Sequence, residues 1–148
     1  MTKEIFYINT DGGSRGNPGP AGVGVAIFSA DEKLIKSTHK FLGRMTNNEA
    51  EYQGAILGLK FFKASFGAPV AKNSKIILRM DSELVVKQLN GQYQIKEEKL
   101  HPLFIQIHNL RVSEFPNLEI VHVRREENKK ADELANEAMD GGQQGKLV

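Results

Sequence analysis

Short apolar runs, separated by glycine, proline and polar residues, predict five β-strands. These runs lie at residues 5–8, 22–28, 34–42, 75–80 and 118–123. The first run stops at Asp11, before a turn rich in glycine and proline, as expected of a strand buried on both faces. The connection between the second and third runs is short and polar, which favours a hairpin. The first three strands are therefore predicted to form an antiparallel meander.

The longest predicted helix follows the third strand. Thr46 and Glu49 have the pattern of a capping box, so the helix is expected to begin at about Asn47 and to end at residues 67–69. Its buried stripe recurs at helical spacing and comprises Tyr52, Ala55, Ile56, Leu59, Phe62 and Phe66. Glu51 flanks this stripe instead of pointing into solvent, which makes its carboxylate a candidate functional group.

Three shorter helices are predicted in the second half of the chain. One covers residues 82–89, the next begins near Pro102, and Asn128 is expected to cap the last. Asp132 borders the apolar stripe of that last helix. Residues 141–148 are rich in glycine and glutamine and are expected to form a disordered tail. The order of elements predicts an α/β fold, a mixed sheet with helices on its faces.

Composition narrows the class of protein. The chain has 148 residues, of which 40% are apolar and none is cysteine, and this favours one compact domain at residues 1–140 without disulfides. The sequence has neither an apolar run of transmembrane length nor a secretory signal pattern, so we expect a soluble, cytoplasmic monomer with no membrane partner. The formal net charge is only +2, so nucleic-acid binding would depend on local charge.

Four carboxylates are candidates for one site. Asp11 and Asp81 each end a buried strand, and neighbouring strands lie about 5 Å apart, so both can reach a single ion. Glu51 and Asp132 border helices that pack on the same sheet. Clustered carboxylates repel, and hard divalent cations such as Mg²⁺ or Mn²⁺ relieve that repulsion with oxygen ligands alone. Spacing alone leaves open the alternative of ordinary helix carboxylates and, at Asp81, a helix cap.

Four stretches of the chain carry a family resemblance. They are residues 7–19 (YINTDGGSRGNPG), 46–52 (TNNEAEY), 80–83 (MDSE) and 128–136 (NKKADELAN). In this order they resemble the four signature motifs of type 1 ribonuclease H, over nearly the whole chain. The resemblance implies a ribonuclease H-like fold, a five-stranded mixed sheet of three antiparallel and then two parallel strands flanked by helices. It also implies a metal-dependent endoribonuclease that cuts the RNA strand of RNA–DNA hybrids and leaves 5′-phosphate and 3′-hydroxyl ends.

The resemblance assigns roles to the four carboxylates. It implies that Asp11 bridges two Mg²⁺ ions, for which Mn²⁺ can substitute. Asp132 would help hold the ion that activates the attacking water, and Glu51 with Asp81 would hold the ion on the leaving-group side. Two ions about 4 Å apart form the clamp used for in-line phosphoryl displacement.

The resemblance also implies residues that bind the two nucleic-acid strands. Asn47, Asn48 and the backbone near Ser14 would face the 2′-hydroxyls of the RNA strand, so that the site requires ribose. The residues implied for a phosphate of the DNA strand are Arg44, Thr46 and Asn17. Turn or helix-cap chemistry is the alternative for each of these residues, and for Thr46 both interpretations can hold.

The chain departs from the family pattern in three places. Many members carry a catalytic histidine in a glycine-containing loop before the last helix, whereas residues 124–127 contain none. The nearest histidine, His122, lies within the pattern of the last predicted strand. Glu127 is no stronger a candidate to replace the catalytic histidine. Residues 91–99 replace the lysine- and tryptophan-rich basic protrusion, so hybrid affinity is expected to be modest and cutting of double-stranded RNA weak at most. Glu83 stands where a glutamine that reads the minor groove is common.

Three other classes of protein share some of these sequence features. The sugar-kinase and actin-type ATPases share the sheet, but they need two such domains to enclose a nucleotide. An integrase or resolvase core would have the acidic residues without the Asn47–Asn48 pair. A catalytically weak or inactive nucleic-acid-binding module would be indicated by loss of one of the four carboxylates, and all four are present.

Overall fold

A computed structural model describes residues 3–146 and shows an α/β domain; the side chains of residues 143–146 are outside this description. The strands are β1 (Ile5–Ser14), β2 (Gly19–Ser29), β3 (Leu34–Met45), β4 (Lys75–Met80) and β5 (Leu118–His122). The α-helices are α1 (Asn47–Phe66), α2 (Ala68–Asn73), α3 (Glu83–Leu89), α4 (His101–Ser113) and α5 (Lys129–Lys146). Two short 3₁₀ helices cover Glu98–Leu100 and Arg125–Glu127.

The sheet has the predicted topology. Its strand order is β3-β2-β1-β4-β5, with antiparallel pairing among β3, β2 and β1 and parallel pairing among β1, β4 and β5. The predicted fold class, three antiparallel strands followed by two parallel ones, is therefore confirmed. The first strand of the chain lies at the centre of the sheet, where both of its neighbours shield it.

The register of β1 and β4 brings two candidate residues together. Parallel pairing runs from Ile5 opposite Lys75 to Thr10 opposite Met80. Asp11 follows Thr10 and Asp81 follows Met80, so both carboxylates lie where the pairing of β1 with β4 ends. The prediction that the first strand stops at Asp11 is wrong, because β1 continues to Ser14 through pairing with β2 alone.

Glycines let helices lie directly on this sheet. A Cβ on Gly12 would lie 2.2 Å from the carbonyl oxygen of Ala50 in α1, and one on Gly24 would lie 2.2 Å from that of Ala131 in α5. Gly12 and Gly13 face opposite sides because side-chain positions alternate along a strand. Gly12 therefore lets the backbone of α1 approach β1 closely. Gly24 is paired with Asp11, the residue before Gly12, so α1 and α5 pack on opposite faces of the sheet.

The main core lies between α1 and the sheet. The predicted stripe of α1 is buried from Tyr52 to Phe62, and Phe66 is partly buried beside it. The ring centroids of Phe6 and Phe62 lie 5.1 Å apart at a steep angle, and those of Phe62 and Phe115 lie 6.2 Å apart. This aromatic contact ties the central strand, α1 and the segment before β5 together.

The final helix is longer than the sequence predicts. Helix α5 continues to Lys146, so residues 141–146 are helical and the disordered tail expected there is not observed; residues 147 and 148 lie outside the described residues. Gly142 lies against the ring of Phe41, where a Cβ would come within 2.0 Å of Cδ1. Packing against β3 thus offsets the low helix propensity of glycine.

Helix α2 is a further difference from the prediction. Residues 67–69 end α1 as expected, but Pro69 then lies in the first turn of α2, where its missing N–H costs nothing. Among residues 3–146 no helix combines the length and the apolar character needed to cross a bilayer.

Candidate active site

Three carboxylates converge where β1 and β4 end their pairing. One oxygen from each of Asp11, Glu51 and Asp81 lies within 4.8 Å of the other two. Asp11 and Asp81 arrive through the strand register, and Glu51 arrives from the second turn of α1, whose backbone lies directly over Gly12. Asp11 and Glu51 are each only 8% exposed. The fold thus gathers these three residues into one partly buried group.

Asp132 joins this group from the opposite face of the sheet. It lies in the first turn of α5 and lines the same open groove as the other three carboxylates. Helix α5 can bring it there because Gly24 lets the helix backbone rest on β2. All four carboxylates predicted from the sequence are therefore neighbours in the structure.

Burial and crowding shift the ionisation of the two most enclosed carboxyls. Burial, with the charge of Asp81 second, raises the pKa of Asp11 to about 7. Burial and then the charge of Asp11 raise the pKa of Glu51 well above its usual range. Since both shifts disfavour the charged form, the group favours bound protons or a bound cation at neutral pH.

The donor set fits a hard divalent cation. Glu51 Oε1 accepts a 3.4 Å hydrogen bond from the backbone N–H of Gly12, but the buried Oε2 has no hydrogen-bond partner among the described residues. A buried carboxylate oxygen without a partner is costly, and a metal ion would satisfy it. The ligands available are oxygens only, as Mg²⁺ and Mn²⁺ prefer.

The side chain of Asn128 links β1 to Asp81, the residue that follows β4. Its side chain is fully buried, and its Nδ2 donates to the carbonyl oxygen of Thr10 at 3.0 Å and to Asp81 Oδ2 at 3.2 Å. The backbone carbonyl of Asn128 accepts the first helical hydrogen bond of α5, from Asp132 N–H. The expected cap position is therefore correct, but the side chain orients Asp81 instead of capping the helix.

Three of the predicted substrate-binding residues share an open groove of about 440 Å³ with the four carboxylates. They are Ser14, Asn47 and Asn48. Asn47 Oδ1 accepts hydrogen bonds from Ser14 N–H at 2.9 Å and from Ser14 Oγ at 3.1 Å. Asn48 Nδ2 donates to Glu97 Oε1 at 3.0 Å. The structure thus places both asparagines beside the carboxylates.

The other three predicted residues lie beside the N-terminus of α1 and do not line this groove. Asn17 Oδ1 accepts the N–H of Asn47 at 3.0 Å. Thr46 Oγ1 accepts the N–H of Glu49 at 3.1 Å, which completes the predicted capping box. Arg44 is exposed at the end of β3. The cap interpretation is thus confirmed for Asn17 and Thr46. Within residues 3–146 no acceptor is recorded for the Asn17 amide N–H groups or the Thr46 hydroxyl.

Several groove residues were not singled out from the sequence. Arg15, Arg125 and Asn136 line the groove, and Arg15 donates to Asn136 Oδ1 at 3.1 Å while pairing with Asp140 at 2.9 Å. Asn136 belongs to the last of the four motifs, and its place one turn after Asp132 was the available signal. Arg15 and Arg125 belong to no periodic pattern that would have identified them as groove residues.

The possible substitutes for a loop histidine lie apart from the carboxylates. His122 is exposed at the end of β5 and is not part of the groove lining. Glu127 Oε1 accepts the backbone N–H of Arg124 at 3.1 Å, which stabilises the short link before α5.

Glu83 is ion-paired with Lys87 at 2.7 Å, so its charge is partly neutralised at the rim of the site.

Comparisons with known proteins agree with this geometry. The family model described as "Reverse transcriptase-like" matches residues 9–138. A bifunctional protein of Mycobacterium tuberculosis is 43% identical over 93% of this chain, which spans 36% of that relative's length. Ribonuclease HI of Halobacterium salinarum is 42% identical over 88% of this chain and 62% of its own.

The solved structure of LC11-RNase H1 in complex with an RNA/DNA hybrid is similar to this chain throughout. The TM-score is 0.89 at 41% sequence identity, and the match covers 93% of this chain and 99% of the other. The family model, these relatives and the shared sheet topology agree with the four motifs. This chain belongs to the type 1 ribonuclease H family.

Proposed function

We propose that this chain is a metal-dependent endoribonuclease that hydrolyses the RNA strand of RNA–DNA hybrids and leaves 5′-phosphate and 3′-hydroxyl ends. The observation that carries the proposal is the meeting of Asp11, Glu51 and Asp81 in one groove with Ser14 and the Asn47–Asn48 pair. The three carboxylates suit phosphodiester hydrolysis, and Ser14 with the asparagine pair suits recognition of ribose. The complex of LC11-RNase H1 with an RNA/DNA hybrid supports the choice of substrate.

The four carboxylates would hold two Mg²⁺ ions, with Mn²⁺ as a substitute. Bound Mg²⁺ supplies Lewis-acid catalysis and offsets the negative charge that builds on the phosphate. Asp11 lies close to Glu51 and Asp81 and lines one groove with Asp132, which suits a shared ligand. Asn128 keeps Asp81 oriented toward the group through one carboxylate oxygen and leaves the other oxygen free.

The two strands of a hybrid would meet different parts of the surface. Ribose 2′-hydroxyls would lie against the asparagine pair, where Asn47 has its carbonyl oxygen occupied and its NH₂ free to donate. A phosphate of the DNA strand would lie near Arg44 and the start of α1, where Thr46 and Asn17 keep donors available. Weak binding of double-stranded RNA, a monomeric state and a cytoplasmic location are part of this proposal.

The test uses a hybrid with a labelled RNA strand. Cleavage should stop in EDTA and return with Mg²⁺ or Mn²⁺, whereas Zn²⁺ should restore little because all four proposed ligands are hard oxygens. The matched control is Asp11→Asn, which keeps the shape of the site and should stay inactive with each metal. Cleavage that persists in chelator, or that the Asp11→Asn protein retains, would refute the proposal.

A further inference from the structure

The segment that takes the place of a basic protrusion supplies a carboxylate to the groove. Glu97 precedes the 3₁₀ helix Glu98–Leu100, and its Oε1 accepts a hydrogen bond from Asn48 Nδ2 at 3.0 Å. The two residues are 49 positions apart in the chain. This contact therefore links the substrate groove to a segment to which the family motifs assign no role.

The contact fixes which end of the Asn48 amide faces the groove. A carboxylate accepts hydrogen bonds and cannot donate them, so the amide nitrogen must point toward Glu97. The carbonyl oxygen is then the end left for a ligand, and Asn48 lines the groove beside the metal-binding carboxylates. Asn47 has the opposite polarity, because its oxygen is occupied by Ser14. The pair presents one acceptor and one donor.

The backbone around Glu97 is held in place although its side chain is exposed. The carbonyl oxygen of Glu97 accepts the N–H of Leu100 at 3.0 Å, and Leu100 is fully buried. His101 Nε2 lies 2.7 Å from the carbonyl oxygen of Ile95, which closes the segment from the other side. The carboxylate is therefore presented from an anchored turn.

The surroundings of Tyr52 agree with this placement. Its hydroxyl donates to the buried Gln88 Oε1 at 2.8 Å. Burial, with the charge of Glu97 second, raises the pKa of Tyr52 above its usual range. The carboxylate of Glu97 thus lies close to the layer that supports the groove.

We propose that Glu97 is a positioning residue that orients the Asn48 amide so that its oxygen accepts a hydrogen bond from a ribose 2′-hydroxyl. This inference rests on the proposed function, because it names how the same site distinguishes ribose from deoxyribose. Without Glu97 the amide rotates freely, and the acceptor is no longer held toward the substrate. Loss of one oriented hydrogen bond corresponds to roughly a threefold to tenfold loss in kcat/KM.

Simple electrostatics predicts the opposite sign, which makes the test sharp. Removing an acidic residue near a nucleic-acid surface should strengthen binding. Glu98 is the matched control, since it is the exposed neighbour of Glu97 and its side chain takes part in no hydrogen bond or ion pair among the described residues. Glu98→Ala should leave kcat/KM unchanged or raise it, whereas Glu97→Ala should lower it. Glu97→Gln should restore most of the loss, because its amide oxygen can accept from Asn48.

The experiment combines these variants with hybrids that carry a single deoxyribose at successive positions near the cleaved bond. In the unchanged protein one position should show a penalty that Asn48→Ala removes, and Glu97→Ala should reduce the same penalty to less than about twofold. The double variant should behave like Asn48→Ala alone. Additive losses, or equal effects of Glu97→Ala and Glu98→Ala, would overturn the proposal.

A second readout separates this proposal from the proposed function. The side-chain amide signals of Asn48 in a nitrogen–proton NMR spectrum should shift in Glu97→Ala and keep their positions in Glu98→Ala. Unchanged signals in Glu97→Ala would refute the positioning contact. Shifted signals together with no hybrid cleavage by the unchanged protein would refute the proposed function, and the ribose role of Glu97 with it, but not the contact.

Discussion

Asp11 carries an electrostatic cost in the absence of metal. Burial and the neighbouring Asp81 raise its pKa from 3.8 to about 7, so its charged form is disfavoured in the folded protein. Asp11→Asn should therefore raise the melting temperature in EDTA at pH 7.5 by about 3 °C or more, since ~1 kcal/mol shifts a domain of this size by about 2–4 °C. The same substitution removes the shared metal ligand and should abolish cleavage. A lower melting temperature would instead indicate that Asp11 is needed for the fold.

The gain from Asp11→Asn should depend on pH in a defined direction. A carboxyl whose pKa is raised in the folded state stabilises the protein below its unfolded pKa, and this stabilisation is lost as pH rises through the folded pKa. The melting temperature of the unchanged protein should fall relative to that of Asp11→Asn between about pH 4 and pH 7, and thermal scans across this range in EDTA measure the difference. Glu98→Gln, at an exposed site, should show no such trend. A constant difference across the range would contradict the buried charge.

His122 should contribute little to catalysis. It is exposed at the end of β5, outside the groove lining, so His122→Ala should lower kcat by less than tenfold, about 1.4 kcal/mol of barrier. Steady-state kinetics with a thermal melt checks this, and His108→Ala on the distant α4 serves as the control. A larger loss with an unchanged melting temperature would show that the short link still delivers His122 to the substrate.

At the level of single residues, the sequence predicts the four carboxylates better than the side chains that hold the site in position. Asp11 and Asp81 follow apolar strands, and Glu51 and Asp132 border apolar stripes, so residue type and spacing made them candidates for one site. The resemblance of the four motifs then assigned all four to it. Asn128 was predicted only as a helix cap, and nothing in the sequence singled out Glu97. Each acts through a side-chain contact between segments 47 and 49 residues apart, which only the folded chain reveals.

Among the elements, the glycines of α5 show where local propensity fails as a guide. Gly141 and Gly142 argue against a helix, yet α5 continues through both because Gly142 packs against Phe41. A Cβ on Gly141 would meet no atom within 4 Å, so Gly141→Ala should raise the free energy of unfolding by up to about 1 kcal/mol. Gly142→Ala should gain less or destabilise, because its Cβ meets the Phe41 ring.

Urea unfolding of the two variants measures this difference directly. Two equal values near zero would mean that the helix ends before Gly141, as the composition of the tail suggests.

The elements that periodicity predicted are those with long buried stripes, such as α1 and the central strands. Helix α2 and the two 3₁₀ helices are short and carry no such stripe, so no periodic pattern predicts them.

For the whole molecule, the small net charge limits how hybrids can be bound. With a formal net charge of +2, attraction must come from local groups such as Arg44, Arg15 and Arg125 together with metal at the carboxylates. Each phosphate contact releases counterions, so affinity should fall as salt rises. Binding measured with Asp11→Asn, which should not cleave, at about 50 and 200 mM salt tests this without turnover. An affinity that does not change with salt would contradict contact with the phosphates.

The most direct test of the central claim is a panel of labelled duplexes incubated with Mg²⁺. The RNA strand of an RNA–DNA hybrid should be cut internally to 5′-phosphate and 3′-hydroxyl ends, double-stranded RNA should be cut weakly at most, and DNA duplex should remain intact. Without 2′-hydroxyls the asparagine pair lacks its partners, and each unpaired polar group costs about 1–3 kcal/mol. Equal cutting of DNA duplex and hybrid would contradict recognition of ribose by this groove.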